Sequence, residues 1–478
     1  MKEVTKKILA GCLSVSMAGL CACSSSAGSA VEPTPDAPAA SESSGESVSK
    51  NPGESIPESS DEIRLLTDVD GFVSRNSVGT ESGYYEMEWA ASEGVNIFYT
   101  DYAKLSKQYL CADPMCAHDS ESCTSYLSSA GALFGLFVQN DKLYIYNMPM
   151  DSDPLLYQCE MDGSNRVPFF TFTEEHDVPK DAIAGDDDCL YYLCEDVEGG
   201  SATRITVQKL DCSTKQTTEL IELSRDSSET YFLVGAHDRS LILKRATWGE
   251  TAPSEIYRYD VDNNELVELV GSEENNIICG VSGDHLLYWD SATQDVHCFD
   301  LTNHQDTIVY SDPILGPHTA PVVNGTFDDH LIMMAVKSEP IESVDWDSLP
   351  EGTKAMWKAT LEEELGYSVA EEEVYPELVQ RSSNSEYGIE ISNFKLLAIG
   401  PDETKVITLN ADEYGSPITV LAETQNDFLV YCGYEETPET FSNEDGSSQT
   451  ETARSVKTAL ISKENFYHNV AEYRVIAQ

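Results

Sequence analysis

An all-β fold, a β-propeller of seven four-stranded blades, is predicted by three features of this sequence. A tight polar turn followed by a short β-rich run recurs seven times, beginning at Glu93, Asn140, Asp187, His237, Gly283, Asp328 and Asn426. Most starts lie roughly 45–50 residues apart, the length of one four-stranded blade. The strands around each copy also return in a fixed order, which a pair of β-sandwiches does not require. The irregular first and last units bracket the count between six and eight.

Each element of a blade has its own signature. An apolar run comes first, as in Leu133–Val138, Phe232–Gly235, Ile277–Val281 and Ile418–Leu421. The recurring turn and second strand follow. Third strands such as Leu156–Cys159, Val207–Leu210, Ile256–Tyr259 and Val296–Phe299 end in hairpins rich in Asp, Asn, Gly and Ser, the residues that turns need. Fourth strands read as alternating runs, as in Glu265–Val270, Thr307–Tyr310 and Lys405–Leu409. Arg64–Met87 is available to complete or close the ring.

Second-to-third connections share one face of a propeller with the links between blades. Here these connections are the long ones: Tyr99–Lys107, Asn147–Pro154, Cys194–Arg204, Arg245–Ser254, Trp289–Asp295, Pro340–Ser392 and Gly433–Ala453. Length concentrated on one face is expected where rigid blades present variable loops. The sixth carries a small helical insertion, about 340–392. Ser348-Leu349-Pro350-Glu351 reads as a capping box, Trp357, Leu361 and Leu365 form an i, i+4, i+8 stripe, and Gly366 stops the helix. A second, weaker helix is expected from Ser368 to about Glu373.

The N-terminal residues are expected to be an address. Lys2, Lys6 and Lys7 precede an apolar stretch, Ile8–Ala22, too short to cross a bilayer and suited to a signal peptide over 1–22. Residues 23–61 are dominated by Ser, Glu, Pro, Ala and Gly, which cannot bury enough apolar surface to offset chain entropy. They read as a disordered tether with a reach on the order of 30 Å. The propeller domain is assigned to 62–478. Formal net charge is −55 over 478 residues, and removing 1–22, with three lysines and one glutamate, moves it to −57. Nucleic acid, which needs a basic footprint, is excluded as a partner. Direct docking on anionic headgroups is disfavoured.

The densest chemistry is Cys111-Ala-Asp-Pro-Met-Cys116-Ala-His118-Asp-Ser-Glu-Ser-Cys123. Three thiols and an imidazole can converge on one tetrahedral ion, so Cys111, Cys116, His118 and Cys123 are a candidate structural zinc site. A disulfide among the same cysteines, in an oxidising compartment, is the equal alternative. Chain order puts the cluster at the third-to-fourth hairpin of the first blade, which favours a staple over catalysis. Cys159 and Cys212 also invite a pairing test. Asp186-Asp187-Asp188 and Asp260–Glu265 resemble calcium ligands only superficially, since turn chemistry explains them and the glycine of an EF-type loop is missing. Tyr102, Trp248 and Trp289 fall in or beside the long connections and are candidate ligand-face aromatics, with rim packing as the alternative. No Gly-x-Ser-x-Gly elbow, His-Glu-x-x-His or phosphate-binding glycine loop occurs. With 84 acidic residues, carboxylate pairs carry no signal for a glycosidase.

The junction Leu20-Cys21-Ala22-Cys23 followed by Ser24-Ser25-Ser26 resembles a bacterial lipobox, which implies cleavage before Cys23 and lipid on that residue. With the Ser/Glu tether, the Leu110–Cys123 stretch and the repeated Asp-x-Leu-Tyr-Tyr type of phrase, the chain resembles uncharacterised β-propeller lipoproteins of Gram-positive gut anaerobes. It is broadly similar to TolB-like propellers in architecture. The resemblance implies a propeller exported to the outer face of the cell membrane and held there by lipid alone. The expected role is non-enzymatic: a ligand-binding or scaffolding protein for an extracellular glycan or protein, working as a monomer. The alternative is an extracellular carbohydrate-active hydrolase or lyase using carboxylates on the long-loop face.

Overall fold

A computed structural model describes residues 62–67, 76–90, 94–128, 133–148, 153–172, 179–198, 201–247, 254–272, 277–290, 292–312, 319–349, 351–383, 389–412, 415–442 and 448–477. Residues 1–61, with Cys23, and Trp248 lie outside them. After β1 (Arg64–Leu65) the chain builds seven antiparallel sheets in succession. The first joins β2 (Ser77–Gly79), β3 (Gly83–Trp89), β4 (Val95–Asp101) and β5 (Ser106–Tyr109), with β6 (Tyr126–Leu127) also on β4. The second is β7 (Leu133–Gln139), β8 (Lys142–Met148), β9 (Leu155–Glu160) and β10 (Val167–Thr171). The third is β11 (Pro179–Gly185), β12 (Cys189–Glu198), β13 (Ser201–Asp211) and β14 (Gln216–Ser224). The fourth is β15 (Glu229–His237), β16 (Ser240–Thr247), β17 (Ser254–Asp260) and β18 (Glu265–Ser272).

The fifth sheet is β19 (Ile277–Ser282), β20 (His285–Asp290), β21 (Asp295–Asp300) and β22 (Asp306–Ser311). The sixth is β23 (Thr319–Phe327), β24 (His330–Pro340), β25 (Glu390–Ile399) and β26 (Thr404–Ile407), with α1 (Glu351–Leu365) and α2 (Glu371–Ser383) between its middle strands. The seventh is β27 (Thr419–Glu423), β28 (Asp427–Ser442), β29 (Ser448–Ser462) and β30 (Arg474–Val475), with the short α3 (Lys463–Tyr467) before its last strand. First strands touch in sequence, β11 to β15, β19, β23, β27, β2 and β7. The protein is a seven-bladed β-propeller.

Turn chemistry explains why the phrase repeats. Asn140-Asp141 and Asp328-Asp329 each place two residues at positive φ, as a two-residue hairpin turn of the right twist requires. In the third-to-fourth hairpins the leading aspartate accepts from the amides two and three residues on. Asp211 does so from Ser213 and Thr214, Asp260 from Asp262 and Asn263, and Asp300 from Thr302 and Asn303. Lys215, Asn264 and His304 then turn left-handed. These carboxylates are occupied by their own turns, in keeping with the turn reading over calcium.

The repeat also stitches blades together. Asn140 Nδ2 donates to Asp187 O at 2.7 Å, His237 Nε2 lies 2.9 Å from Asp284 Oδ1, and Ser282 Oγ donates to Asp329 Oδ1 at 3.2 Å. Each link spans 47 residues, one blade. Where inner strands of neighbouring blades touch, two glycines leave no room for a side chain. A Cβ on Gly235 would lie 2.5 Å from Val281 Cγ2, and one on Gly79 2.6 Å from Ala422 Cβ.

Arg64–Met87 divides: β2 and β3 complete blade one, whereas β1 pairs with the inner edge of β11, Arg64 opposite Gly185. There Ile63 N donates to Asp238 O and Leu66 N to Ile183 O, both at 2.8 Å, so the segment lies within the axial channel. The ring closes without strand exchange. Ala477 bridges Ser106 in parallel, with Lys107 N to Ala477 O and Ala477 N to Leu105 O both 2.8 Å. The phrase at Glu93 belongs to a third strand, β4, because β3 already fills the second place. Its Glu86 and Glu88, which obscure the apolar pattern, are held by Lys107 at 2.9 and 2.5 Å.

Among the long connections, Tyr99–Lys107 is a third-to-fourth hairpin. Cys194–Arg204 and Gly433–Ala453 are not loops. Their backbones stay paired as ladders out to Glu198–Ser201 and Ser442–Ser448. The helical insertion holds α1, ended by Gly366 at φ 73°, but α2 starts later and runs further than expected, to Ser383, with Pro376 inside it. Ile341, Leu349, Trp357, Leu361, Val374 and Leu378 give the insertion a core of its own.

Candidate metal centre

The outermost strand of blade one is broken. β5 pairs with the outer half of β4, Tyr109 opposite Phe98, and β6 resumes on the same strand with Leu127 opposite Val95. Residues 110–125 leave the ladder and return to it. Both ends of the excursion are anchored on Ile97, which accepts from Leu110 N at 2.9 Å and donates to Ser125 O at 2.8 Å. The Cys/His cluster is therefore at the blade's outer edge and not at the third-to-fourth hairpin, which residues 102–105 supply.

Within the excursion, Asp113 Oδ1 accepts from Met115 N at 2.9 Å and Asp113 O accepts from Cys116 N at 3.2 Å, a turn that folds Cys111 toward Cys116. His118 takes a left-handed φ of 55° and reverses the chain toward Cys123. As a result the ligand atoms of Cys111, Cys116, His118 and Cys123 all lie within 4.8 Å of one another. The cluster could hold a metal ion. All three cysteines are free thiols, Cys123 buried and the others half-buried.

Neighbouring groups prepare these atoms. The His118 ring stacks on Tyr109, centroids 4.0 Å apart, and Tyr109 packs on Phe98 at 4.5 Å. His118 Nδ1 lies 3.3 Å from Cys123 Sγ. Cys123 Sγ accepts from Ser125 N at 3.4 Å and Cys116 Sγ from His118 N at 3.5 Å. Ser125 Oγ, 3.2 Å from Cys123 Sγ, donates to Asn96 Oδ1 at 3.1 Å. Burial pushes the Cys123 thiol up, but its hydrogen bonds with Ser125, His118 and Cys116 outweigh that and bring it down to about 6. For Cys116 the His118 amide draws the thiol down, whereas the bonds with Cys123 and Cys111, together with burial, push it up to about 11.

The two described candidate aromatics, Tyr102 and Trp289, are buried. Tyr102 is buried at the seam of blades one and seven with Leu429, Leu460 and Ile476. Trp289 is a strand residue of β20, buried among Leu287, Val296, Val323 and Met333. Cys159 and Cys212 are free thiols belonging to different hydrophobic clusters. Sequence reasoning missed Ser125, Asn96 and Arg166, which support the cysteine excursion. Asn96 and Arg166 carry no local signal, since they act on residues 29 and 40–42 positions away. On the axis, a cavity of about 410 Å³ is lined by β1 and the inner strands, including Arg64, Val78, Val234, Val281, Val323 and Phe327.

The molecule is thus a closed seven-bladed propeller with a Cys₃His knuckle on its first blade. No family model matches this chain, and no curated protein matches it. Solved structures that it resembles include a prolyl endopeptidase, at 8% identity and TM-score 0.45, over 85% of this chain but only 55% of that one. The propeller domain of the trilobed protease of Pyrococcus furiosus matches at 9% identity and TM-score 0.41, covering 87% of this chain and 99% of that chain. TolB of Acinetobacter baumannii matches at 13% identity and TM-score 0.27, covering 59% and 62%. The architecture itself rests on the sheet order described above.

Proposed function

We propose that this chain is a cell-surface lipoprotein, anchored through Cys23 at the outer face of the membrane, whose propeller binds or scaffolds a glycan or protein without catalysis. The observation that carries this reading is the uneven elaboration of one face. Among the described residues, the second-to-third connections of blades three, six and seven grow into a β-ribbon, a helical pair and a second ribbon. A separate core in the helical insertion supports its use as a preformed surface. The formal charge of −55 favours neutral or basic partners. In this reading the protein acts as a monomer, and the Cys111–Cys123 knuckle holds a structural zinc ion.

A glycoside hydrolase of the two-carboxylate kind would use an acid with a raised pKa at this face. Among the described residues, Glu86 is held above the ordinary carboxylate range by burial, only partly offset by Lys107, and it sits within β3, the second strand of blade one. The test is a glycan and protein array probed with the mature chain, with product analysis of every hit. Binding without turnover supports the scaffold. Bond cleavage that disappears on single carboxylate substitutions refutes it.

A further inference from the structure

The knuckle does more than close on itself, because the excursion rests on blade two. Arg166, just before β10, donates from Nη2 to Tyr126 O at 2.9 Å and from Nη1 to Thr124 O at 3.4 Å, and lies 3.6 Å from Glu121. The turn before it approaches so closely that a Cβ on Gly163 would lie 3.0 Å from Leu110 Cγ. Tyr85 OH donates to Met161 O at 3.0 Å, and Leu110 and Leu127 share one apolar cluster with Leu143 and Cys159 of blade two. Residues 110–127 thus form the contact between the outer edges of two blades. Yet their own ladder is interrupted over the stretch that makes those contacts.

Resting on the zinc reading above, we infer that Cys111, Cys116, His118 and Cys123 form a closed four-ligand site for a zinc-class ion, and that the ion clasps blade one's divided outer strand to blade two. Zinc–sulfur bonds of about 2.3 Å make tetrahedron edges of about 3.8 Å, and no pair of ligand atoms, at most 4.8 Å apart, exceeds that edge by more than about 1 Å. A disulfide would use two sulfurs only and leave the third thiol and the imidazole crowded against them. The N–H groups of Ser125 and His118 already point at Cys123 and Cys116 sulfur, the arrangement that orients and stabilises thiolate ligands. Stacking on Tyr109 fixes the imidazole. Four protein ligands fill a tetrahedral ion, leaving no position for substrate, so the site's work is structural.

The experiment uses the full mature chain, stripped of metal and titrated with Co(II). The expected result is one equivalent bound, with sulfur-to-cobalt charge-transfer and visible bands that zinc abolishes, and affinity weakened more than roughly 100-fold in Cys123→Ser. No such bands, or a non-reduced mass lower by two hydrogens, would overturn the zinc reading itself. The clasp is read separately by amide exchange. Zinc should protect both 95–99 and 161–166 in the native chain. In Arg166→Ala, and less severely in Arg166→Lys, the ion should still bind but protect only 95–99. Equal protection of 161–166 with and without Arg166 would sink the clasp while leaving the metal site standing.

Discussion

Asp186 lies where three blades meet, and neutralising it measures what holds the turns together. Its carboxylate accepts from Arg239 Nη1 of blade four at 2.7 Å, Tyr191 OH at 2.9 Å, and the amides of Asp188 and Cys189 at 3.0 and 2.8 Å. Its carbonyl accepts from Gln139 of blade two. In Asp186→Asn the carboxamide oxygen keeps the two amides but loses the charge facing Arg239 and Tyr191. Hydrogen bonds to charged groups are worth about 1.5–3 kcal/mol. Arg239 retains Asp262 at 3.1 Å and is partly exposed, which places the loss near the lower end, about 2 kcal/mol. An unfolding entropy of about 2.1 cal/mol/K per residue over roughly 400 residues converts this to a fall in Tm of about 2–3 °C.

Burial pushes the Asp186 carboxyl up, but Arg239, Tyr191 and the two amides outweigh it and hold it below the ordinary carboxylate range. A depressed folded value contributes stability above the unfolded value of about 3.9, and that stability is lost as pH falls through the lower folded value. Calorimetry of both proteins should therefore show the gap at pH 7 and its narrowing below about pH 4. A variant indistinguishable from the parent at pH 7, or a gap undiminished at pH 3, would refute this account.

Two further outcomes test the ring and the insertion. Gly235→Ala drives a methyl to within 2.5 Å of Val281 Cγ2 and should cost about 1–3 kcal/mol in urea unfolding. Adding Val281→Ala should recover much of that loss, and strict additivity would show that the two inner strands do not touch there. Trp357→Ala should remove about 3–5 kcal/mol from the insertion's own core. Amide exchange over 351–383 should then rise to near solvent rates while the β24–β25 ladder stays protected, and loss of both together would refute an independent insertion.

The recurring phrase was legible because its parts are local. A short polar turn makes the hairpin, with two positive-φ residues at Asn140-Asp141 and Asp328-Asp329 and one at Asp238 and Gly283, and β-branched and aromatic residues follow it, so six copies fall on second strands. The first copy misled because the true second strand, Gly83–Trp89, carries Glu86 and Glu88 where apolar residues were expected, and their partner Lys107 is distant in sequence. The cysteine cluster was legible as ligands, since residue type and short spacing bring them together. Its position was not, because a broken strand and a hairpin differ only in which backbone resumes the pairing.

Trp289 and Tyr102 show the same division. Both were placed by chain order beside long connections, but whether an aromatic lines a rim or fills a seam depends on the blade opposite, and each found one. Sequence alone determined the four-stranded repeat and most of its turns, written in contacts a few residues long, and held the count between six and eight. Tertiary structure decided how the ring closes through Ala477, where 62–67 goes, and which blade the cysteine excursion rests on. Those choices are made by surfaces that meet only after the blades have formed, so no short window of residues encodes them.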